Sequence, residues 1–412
     1  MSQLTFKQKQ EKYADMIVRI GAGLKEGQPV QISCPVSCAD FGRIVAERAY
    51  KAGASEVVMN WLDIDFNKIR FQHVDVDVLK NPPEFLKTQK QWLVERGAAF
   101  IMIISADPQV YAGMDPVKLQ VNGMATRMQL REINNKMPLY FCTQTAVAVP
   151  HPSWAAKVFP NDEHAMEKLW DMIFQSVRVG DFDIVEAWQK HQEALEKRSA
   201  LLNGYHFKTL RYKNSLGTDF SVDLAEDHEW CGGAKTLENG AKYYANVPTE
   251  EVFTAPAKYS ANGKLVATMP LVQGGEIVKD FWFELKDGEI VNYDAKEGKA
   301  ALDALIHSGD EGSRYLGEVA LVAHDSPISN LKTLFLNTLY DENASCHFAI
   351  GTTIPQTVKG GIGVTDEQLA AHGVNVSRVH VDFMVGSEDL NIVGITHDGK
   401  EVPLFRNGNW AI

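Results

Sequence analysis

Apolar positions in the N-terminal half of the chain come in short unbroken runs, separated by stretches with helical spacing. Phe6, Tyr13, Ile17 and Ile20 share one face of a helix over roughly the first 25 residues. Val30 to Ser33 predicts a strand, a helical stretch follows to about Lys51, and Glu56 to Met59 predicts a second strand. Phe100 to Ile104 reads as a buried strand, Val117 to Ile133 as a helix, and Leu139-Tyr140-Phe141 as a further strand. Strands that are apolar on both faces and alternate with helices predict an α/β domain with a mainly parallel sheet. From Asn161 to about Leu202 the spacing is helical and charged.

The texture changes near Asn203-Gly204. Beyond it, short alternating strands are punctuated by Gly, Asn and Asp, as in Gly217 to Val222 and in Phe281 to Leu285 ahead of Asp287-Gly288. This pattern predicts an α+β domain with a mainly antiparallel sheet. The expected organisation is a first domain over 1–203 and a second over 204–412. There is no internal repeat and no low-complexity segment.

Composition narrows the function. The 412 residues carry 41 basic and 53 acidic side chains, a net charge of −12. With no Lys/Arg run, this balance argues against a nucleic-acid partner, because phosphate binding needs a basic face. The five cysteines, Cys34, Cys38, Cys142, Cys231 and Cys346, have no CxxC spacing. They fit neither a disulfide framework nor a zinc knuckle, so reduced thiols and a cytoplasmic location are expected. The start of the chain lacks a signal-peptide core. The longest apolar run, Ala98 to Ala106, falls short of the ~20 residues a membrane span requires. HExxH, GxSxG and P-loop motifs are absent. Gly21-Ala22-Gly23 follows a helix rather than a strand and reads as a helix end. Asn343-Ala344-Ser345 and Asn375-Val376-Ser377 match glycosylation acceptors, which mean nothing without secretion.

Candidate chemistry gathers in four segments of the second half. In Val379 to Val385, alternation puts His380 and Asp382 on one face of a strand and Val379, Val381 and Phe383 on the other. Two ligand types side by side on an apolar strand suit a cation, whereas the plainer reading is the exposed face of a half-buried sheet. Asp341 to Gly351 brings Glu342 and His347 close together ahead of a glycine, where a surface loop is the plainer reading. Glu318 leads into the apolar run that follows Ser313 to Gly317. Asn246 to Pro256 holds Glu250 and Glu251 between two prolines, a rigid frame for a carboxylate.

Together these blocks, NVPTEEVFTAP, SRYLGEVALV, ENASCHFAIG and VHVDFMVGS, resemble the aminopeptidase T family of metalloaminopeptidases, which includes PepS and AmpS. Trp230 to Gly233 and Gly217-Thr218-Asp219 are similar to that family as well. The resemblance implies a co-catalytic pair of divalent ions, zinc, cobalt, manganese or magnesium. Carried over by position, the metal residues are Glu251, Glu318, His347, His380 and Asp382, with Glu342 beside them. Glu251 is chosen over Glu250 because it precedes Val-Phe-Thr, which leaves Glu250 as a flanking surface residue. Independently, two cations need a bridging carboxylate and several anionic ligands, and four carboxylates with two histidines supply them. Cys346 reads as a packing residue.

The resemblance further implies hydrolysis of N-terminal residues from short peptides by a metal-activated water, with Glu251 or Glu342 carrying the proton. It also implies a homodimer whose N-terminal domain helps enclose the site. One position departs from the family: Ile354 stands where members carry a tyrosine, seven residues after the histidine of the His-x-Ala-x-Gly block. In the family that phenol is taken to hydrogen-bond the developing oxyanion. Arg314, Tyr243 or Tyr244, donors near the matched segments, are the candidates to replace it. The alternative is a chain that binds metal and peptide with weak or no turnover.

Overall fold

The computed structural model describes residues 4–308 and 310–412. The chain forms two compact units, Met1–Lys190 with Ala234–Pro248, and His191–Gly233 with Thr249–Ile412.

The first unit is built on a five-stranded parallel sheet. Its spatial order is Asn246–Val247, Thr143–Ala148, Ala99–Ile104, Val30–Pro35, Val57–Leu62. The predicted helix near the start spans Phe6–Met16 and continues as a π-helical turn to Gly21. Thr5 opens it with a capping box shared with Gln8. The helix Ala39–Lys51 follows the first strand as expected, and Pro116–Lys136 follows the third. One expectation fails. Leu139-Tyr140-Phe141 is not a strand: Pro138–Tyr140 makes a 3-10 turn and Phe141 is left-handed at φ 56°. All three side chains are exposed, and the strand begins only at Thr143.

The second unit consists mainly of two antiparallel sheets. The larger has nine strands, in the order Leu271–Gln273, Glu276–Lys286, Asn262–Val266, Asp219–Asp223, Phe207–Lys213, Asn391–Thr396, Glu401–Arg406, Asn409–Trp410, with Glu289–Glu297 paired beside Glu276–Lys286. The smaller has five: His380–Met384, His347–Gly351, Leu316–Leu321, Val252–Thr254, Cys231–Gly232. One face of the smaller sheet is mainly apolar. Val252, Val319, Leu321, Phe348, Ile350, Phe383 and Val385 lie in the same core as Tyr212, Phe220 and Phe283 of the larger sheet. Phe348 meets Tyr212 and Phe220 at ring distances of 5.1 and 5.3 Å, and Phe383 meets Phe283 at 5.0 Å. Each such buried aromatic contributes about 1.5–3 kcal/mol. Successive strand residues point to opposite faces, so anchoring these side chains commits their neighbours to the other face.

Candidate metal centre

That other face carries the chemistry. Glu318 pairs with Ala349, and Ala349 pairs on its far side with Asp382. Three adjacent strands therefore present Glu, Ala, Asp in one row. Ala349 adds only a methyl group, which leaves room for the two carboxylates to lean together. His347 lies two residues before Ala349 and faces the same way, in register with Ala320, another small residue. His380 lies two residues before Asp382 and pairs with Gly351. Glu251 directly precedes the strand Val252–Thr254 and faces opposite to the core residue Val252.

Local backbone devices aim these groups. The ladder between Leu316–Leu321 and His347–Gly351 carries a bulge between Leu316 and Glu318, which redirects the glutamate. Gly317 sits at that bulge against the neighbouring backbone: a Cβ there would lie 2.2 Å from the Gly351 carbonyl oxygen. Asn375 is fully buried and donates from Nδ2 to the carbonyls of Gly312, Tyr315 and Gly351, tying both ends of the bulged region together.

The ligand atoms converge as two overlapping sets. Glu251, Glu318 and His347 form one, and Glu318, His380 and Asp382 the other, each with its ligand atoms within 4.8 Å of one another. His347 Nε2 lies 3.0 Å from Glu251 Oε2, and His380 Nε2 lies 3.2 Å from Glu318 Oε2 and 3.4 Å from Asp382 Oδ1. Glu251 Oε2 is shielded from solvent and makes no aligned hydrogen bond, which suits an oxygen aimed at a cation. Both rings are held from behind: Nδ1–H of His347 donates to the Ser345 carbonyl at 3.0 Å, and Nδ1–H of His380 donates to the Thr352 carbonyl at 2.8 Å. This turns Nε2 toward the carboxylates and leaves it as the ligand atom once its proton is lost, as a metal-binding histidine needs.

Glu342 sits slightly apart. It is buried, faces Asp382, Glu251, His347 and Glu318, and belongs to neither ligand set. Asn343 holds this corner, donating to Glu342 Oε1 and to the Leu339 carbonyl, and accepting the Glu250 N–H at 2.6 Å. Glu250 is thus buried rather than a surface residue, with His191 Nε2 at 3.8 Å. Asp341 is buried too and accepts from the backbone N–H groups of Phe335 and Asn337. The sequence reading missed Asn343 because it also fits a glycosylation acceptor. Its signal was its place inside the Glu-Asn-Ala-Ser-Cys-His block.

A model of the thermophilic metalloprotease (M29) family matches residues 6–410. The chain belongs to that family. It is 39% identical to aminopeptidase AmpS of Bacillus subtilis over 409 residues, 99% of each chain, and 36% identical to aminopeptidase T of Thermus thermophilus over 413 residues, again 99% of each. The solved structure of wild-type AmpT from Thermus thermophilus superposes with a TM-score of 0.91 at 35% identity, covering 99% of this chain and 100% of that one. The resemblance read from the four blocks therefore holds across the whole length, and so does the expected fold of parallel first and antiparallel second parts. The protein is a peptide hydrolase of a metal-dependent family.

For this M29 metalloprotease the electrostatics of the cluster fit divalent cations. Burial, reinforced by neighbouring carboxylates, raises Glu318 and lifts Glu342 well above the usual carboxylate range. Burial opposes charge on the histidines too, but Glu251 outweighs it at His347, holding it at about 10, and Asp382 and Glu318 do so at His380, holding it at about 11. Asp382 is lowered because the contact with His380 overcomes its burial. So many buried carboxylates require compensating charge, which protons supply in the absence of metal and cations supply in their place. Among the described residues, no helix is long and apolar enough to cross a membrane.

The departure at Ile354 is local. Ile354 is half-buried and precedes the 3-10 turn Pro355–Thr357, whose Thr357 N–H and hydroxyl donate to its carbonyl. Of the candidate donors, Arg314 is engaged by Glu289 at 2.8 Å. Tyr243 and Tyr244 belong to the first unit, where Tyr244 packs edge-on against Trp188.

Proposed function

We propose that the chain is an aminopeptidase that removes N-terminal residues from short peptides at a two-cation centre. The observation that carries this reading is the sharing of buried Glu318 by both ligand sets. Glu251 and His347 would hold one ion and His380 and Asp382 the other, with Glu318 available to both sets. Divalent ions held there would supply a polarising charge for the scissile carbonyl and acidify a water.

The chain's own groups account for the remaining work. Glu342 is a carboxyl close to the cluster yet outside both ligand sets, and burial with its neighbouring carboxylates raises its affinity for a proton, as a proton carrier requires. In this reading it takes the proton of the attacking water and delivers it to the leaving amine. Glu251 stays a ligand because its Oε2 already faces His347 Nε2. The surplus of carboxylates over histidines favours a substrate with a free ammonium terminus. The reading includes a reducing compartment, supported by five free cysteines, and a homodimer, supported by the family resemblance alone.

A second reading, metal and peptide binding with little turnover, draws on the aliphatic side chain of Ile354. One experiment separates the two. The protein is stripped with chelator, reloaded separately with zinc, cobalt, manganese and magnesium, and assayed on aminoacyl-p-nitroanilides and short peptides. The aminopeptidase reading expects metal-restored hydrolysis that drops on the order of 100–1,000-fold in Glu318→Ala. Stoichiometric metal uptake without turnover on any substrate supports the second reading and overturns the first.

A further inference from the structure

The first unit carries a pair of thiols that peptide hydrolysis does not use. Cys34 belongs to the strand Val30–Pro35, and Cys38 occupies the N-cap of the helix Ala39–Lys51. Their sulfurs are 3.6 Å apart, and each lies 3.4 Å from the Pro35 carbonyl oxygen. Cys34 is fully buried and Cys38 half-buried. Gly42 makes the space for the inner sulfur: a Cβ at that position would come within 2.6 Å of Cys34 Sγ. The pair sits at the carboxyl end of the parallel sheet, beside Ser105 at the end of the neighbouring strand Ala99–Ile104. Strand order reverses between these two strands, the position where open α/β sheets expose a crevice.

We propose that Cys34 and Cys38 are an oxidation site that closes to a reversible intramolecular disulfide on exposure to hydrogen peroxide, with Cys38 attacking and Cys34 resolving. A disulfide needs a sulfur separation of about 2.05 Å, so the pair must approach by roughly 1.5 Å, within reach of side-chain rotation and a small backbone adjustment. The ring it closes lies within five consecutive residues, Cys34 to Cys38, and asks for no rearrangement elsewhere. The two thiols are differentiated. The hydrogen-bonding contact between the two sulfurs, with a smaller contribution from Ser105, lowers Cys38 against its burial. That same bond, with burial, raises Cys34. The more accessible sulfur is therefore the one with thiolate character, as peroxide attack requires.

The chemistry balances. Cys38 thiolate attacks one peroxide oxygen, the O–O bond breaks, and the departing hydroxide takes up a proton as water, leaving a sulfenic acid on Cys38. Cys34 sulfur then attacks Cys38 sulfur, the S–O bond breaks, and the hydroxyl leaves with the Cys34 proton as a second water. Two thiols are oxidised by two electrons, and the peroxide is reduced to two waters.

The test is peptide mapping of the metal-loaded, full-length protein after brief treatment with hydrogen peroxide and alkylation. The tryptic peptide Glu26–Arg43 contains both cysteines and no other. It is expected to lose two hydrogens and resist alkylation, to recover on reduction with dithiothreitol, and to react at least ~10-fold faster than half-buried Cys231. In Cys34→Ser a dimedone adduct is expected on Cys38, whereas in Cys38→Ser none is expected on Cys34. The proposal is overturned if Cys34 and Cys38 stay alkylatable when Cys231 is already oxidised, or if the adduct forms on Cys34. Mapping of the wild-type protein decides the matter even where a variant folds poorly.

Discussion

The imidazole of His380 donates its Nδ1–H to the carbonyl of Thr352 across 2.8 Å. This contact turns the ring's other nitrogen toward Glu318 and Asp382, and His347 repeats the arrangement through Ser345. Each partner is a backbone carbonyl, so no side-chain substitution removes it directly. Ring orientation is thereby tied to the course of the chain around the site.

Metal loading is expected to expel protons. Without metal, His347 at about 10 and His380 at about 11 are charged at neutral pH, and each must give up its Nε2 proton to ligate. Calorimetric titration of metal into chelator-stripped protein, in two buffers of different ionisation enthalpy, is expected to show release of at least the protons on these two rings. Metal affinity is expected to rise with pH over the neutral range. A buffer-independent heat would show that the rings are already neutral.

Ala349→Val is expected to weaken metal binding with limited harm to the fold. The added methyl groups enter the space over which Glu318 and Asp382 converge, while the core-facing Phe348 and Ile350 are untouched. Overpacking of this kind costs about 1–3 kcal/mol. Displacing the two carboxylates is expected to lower metal affinity on the order of 10–100-fold. Chelator competition and a thermal melt of the same sample separate the two effects.

Ile354→Tyr is expected to raise kcat while leaving KM nearly constant, by up to about 100-fold, since a donor to the developing oxyanion acts only in the transition state. Steady-state kinetics on one aminoacyl-p-nitroanilide suffices. An unchanged kcat would mean that another group already serves that oxygen.

His228 is expected to make stability fall in mild acid. It is 4% exposed, its Nδ1–H donates to the Ala225 carbonyl, and Nε2 has no hydrogen-bond partner among the described residues. Burial lowers it from 6.5 to about 4, with the nearby rings of His206 and His397 adding to the effect. Below 6.5 the unfolded chain takes a proton that the folded chain refuses until about 4. The stability present above that window is therefore lost as pH falls through it, by about 3 kcal/mol at most. Urea unfolding at several pH values is expected to show a flatter profile for His228→Gln.

The sequence exposed what local period can encode. His380 and Asp382 shared a face because a strand repeats every two residues, and Phe383, next along the strand, pointed into the core as expected. Glu318 and His347 were singled out on separate segments, but their meeting beside Ala349 depends on which strands pair and in what register, which no local pattern contains. Glu250 was misread because it is buried among long-range partners: its backbone N–H donates to Asn343, ninety-three residues away in the chain. Leu139 to Phe141 had the apolar texture of a strand, but Pro138 and a left-handed Phe141 turn the backbone there. The true strand, Thr143–Ala148, is masked by its threonines and glutamine.

The strand Asn246–Val247 completes the first unit's sheet although the chain has by then passed through His191–Gly233 of the second. During synthesis the parallel sheet therefore cannot finish until Val247 has left the ribosome, after the opening strands of the other unit have already emerged. Neither body is an independent bead on the string: their biogenesis is interleaved, and a peptidase of this design is expected to reach its native state as one late event rather than unit by unit from the N-terminus.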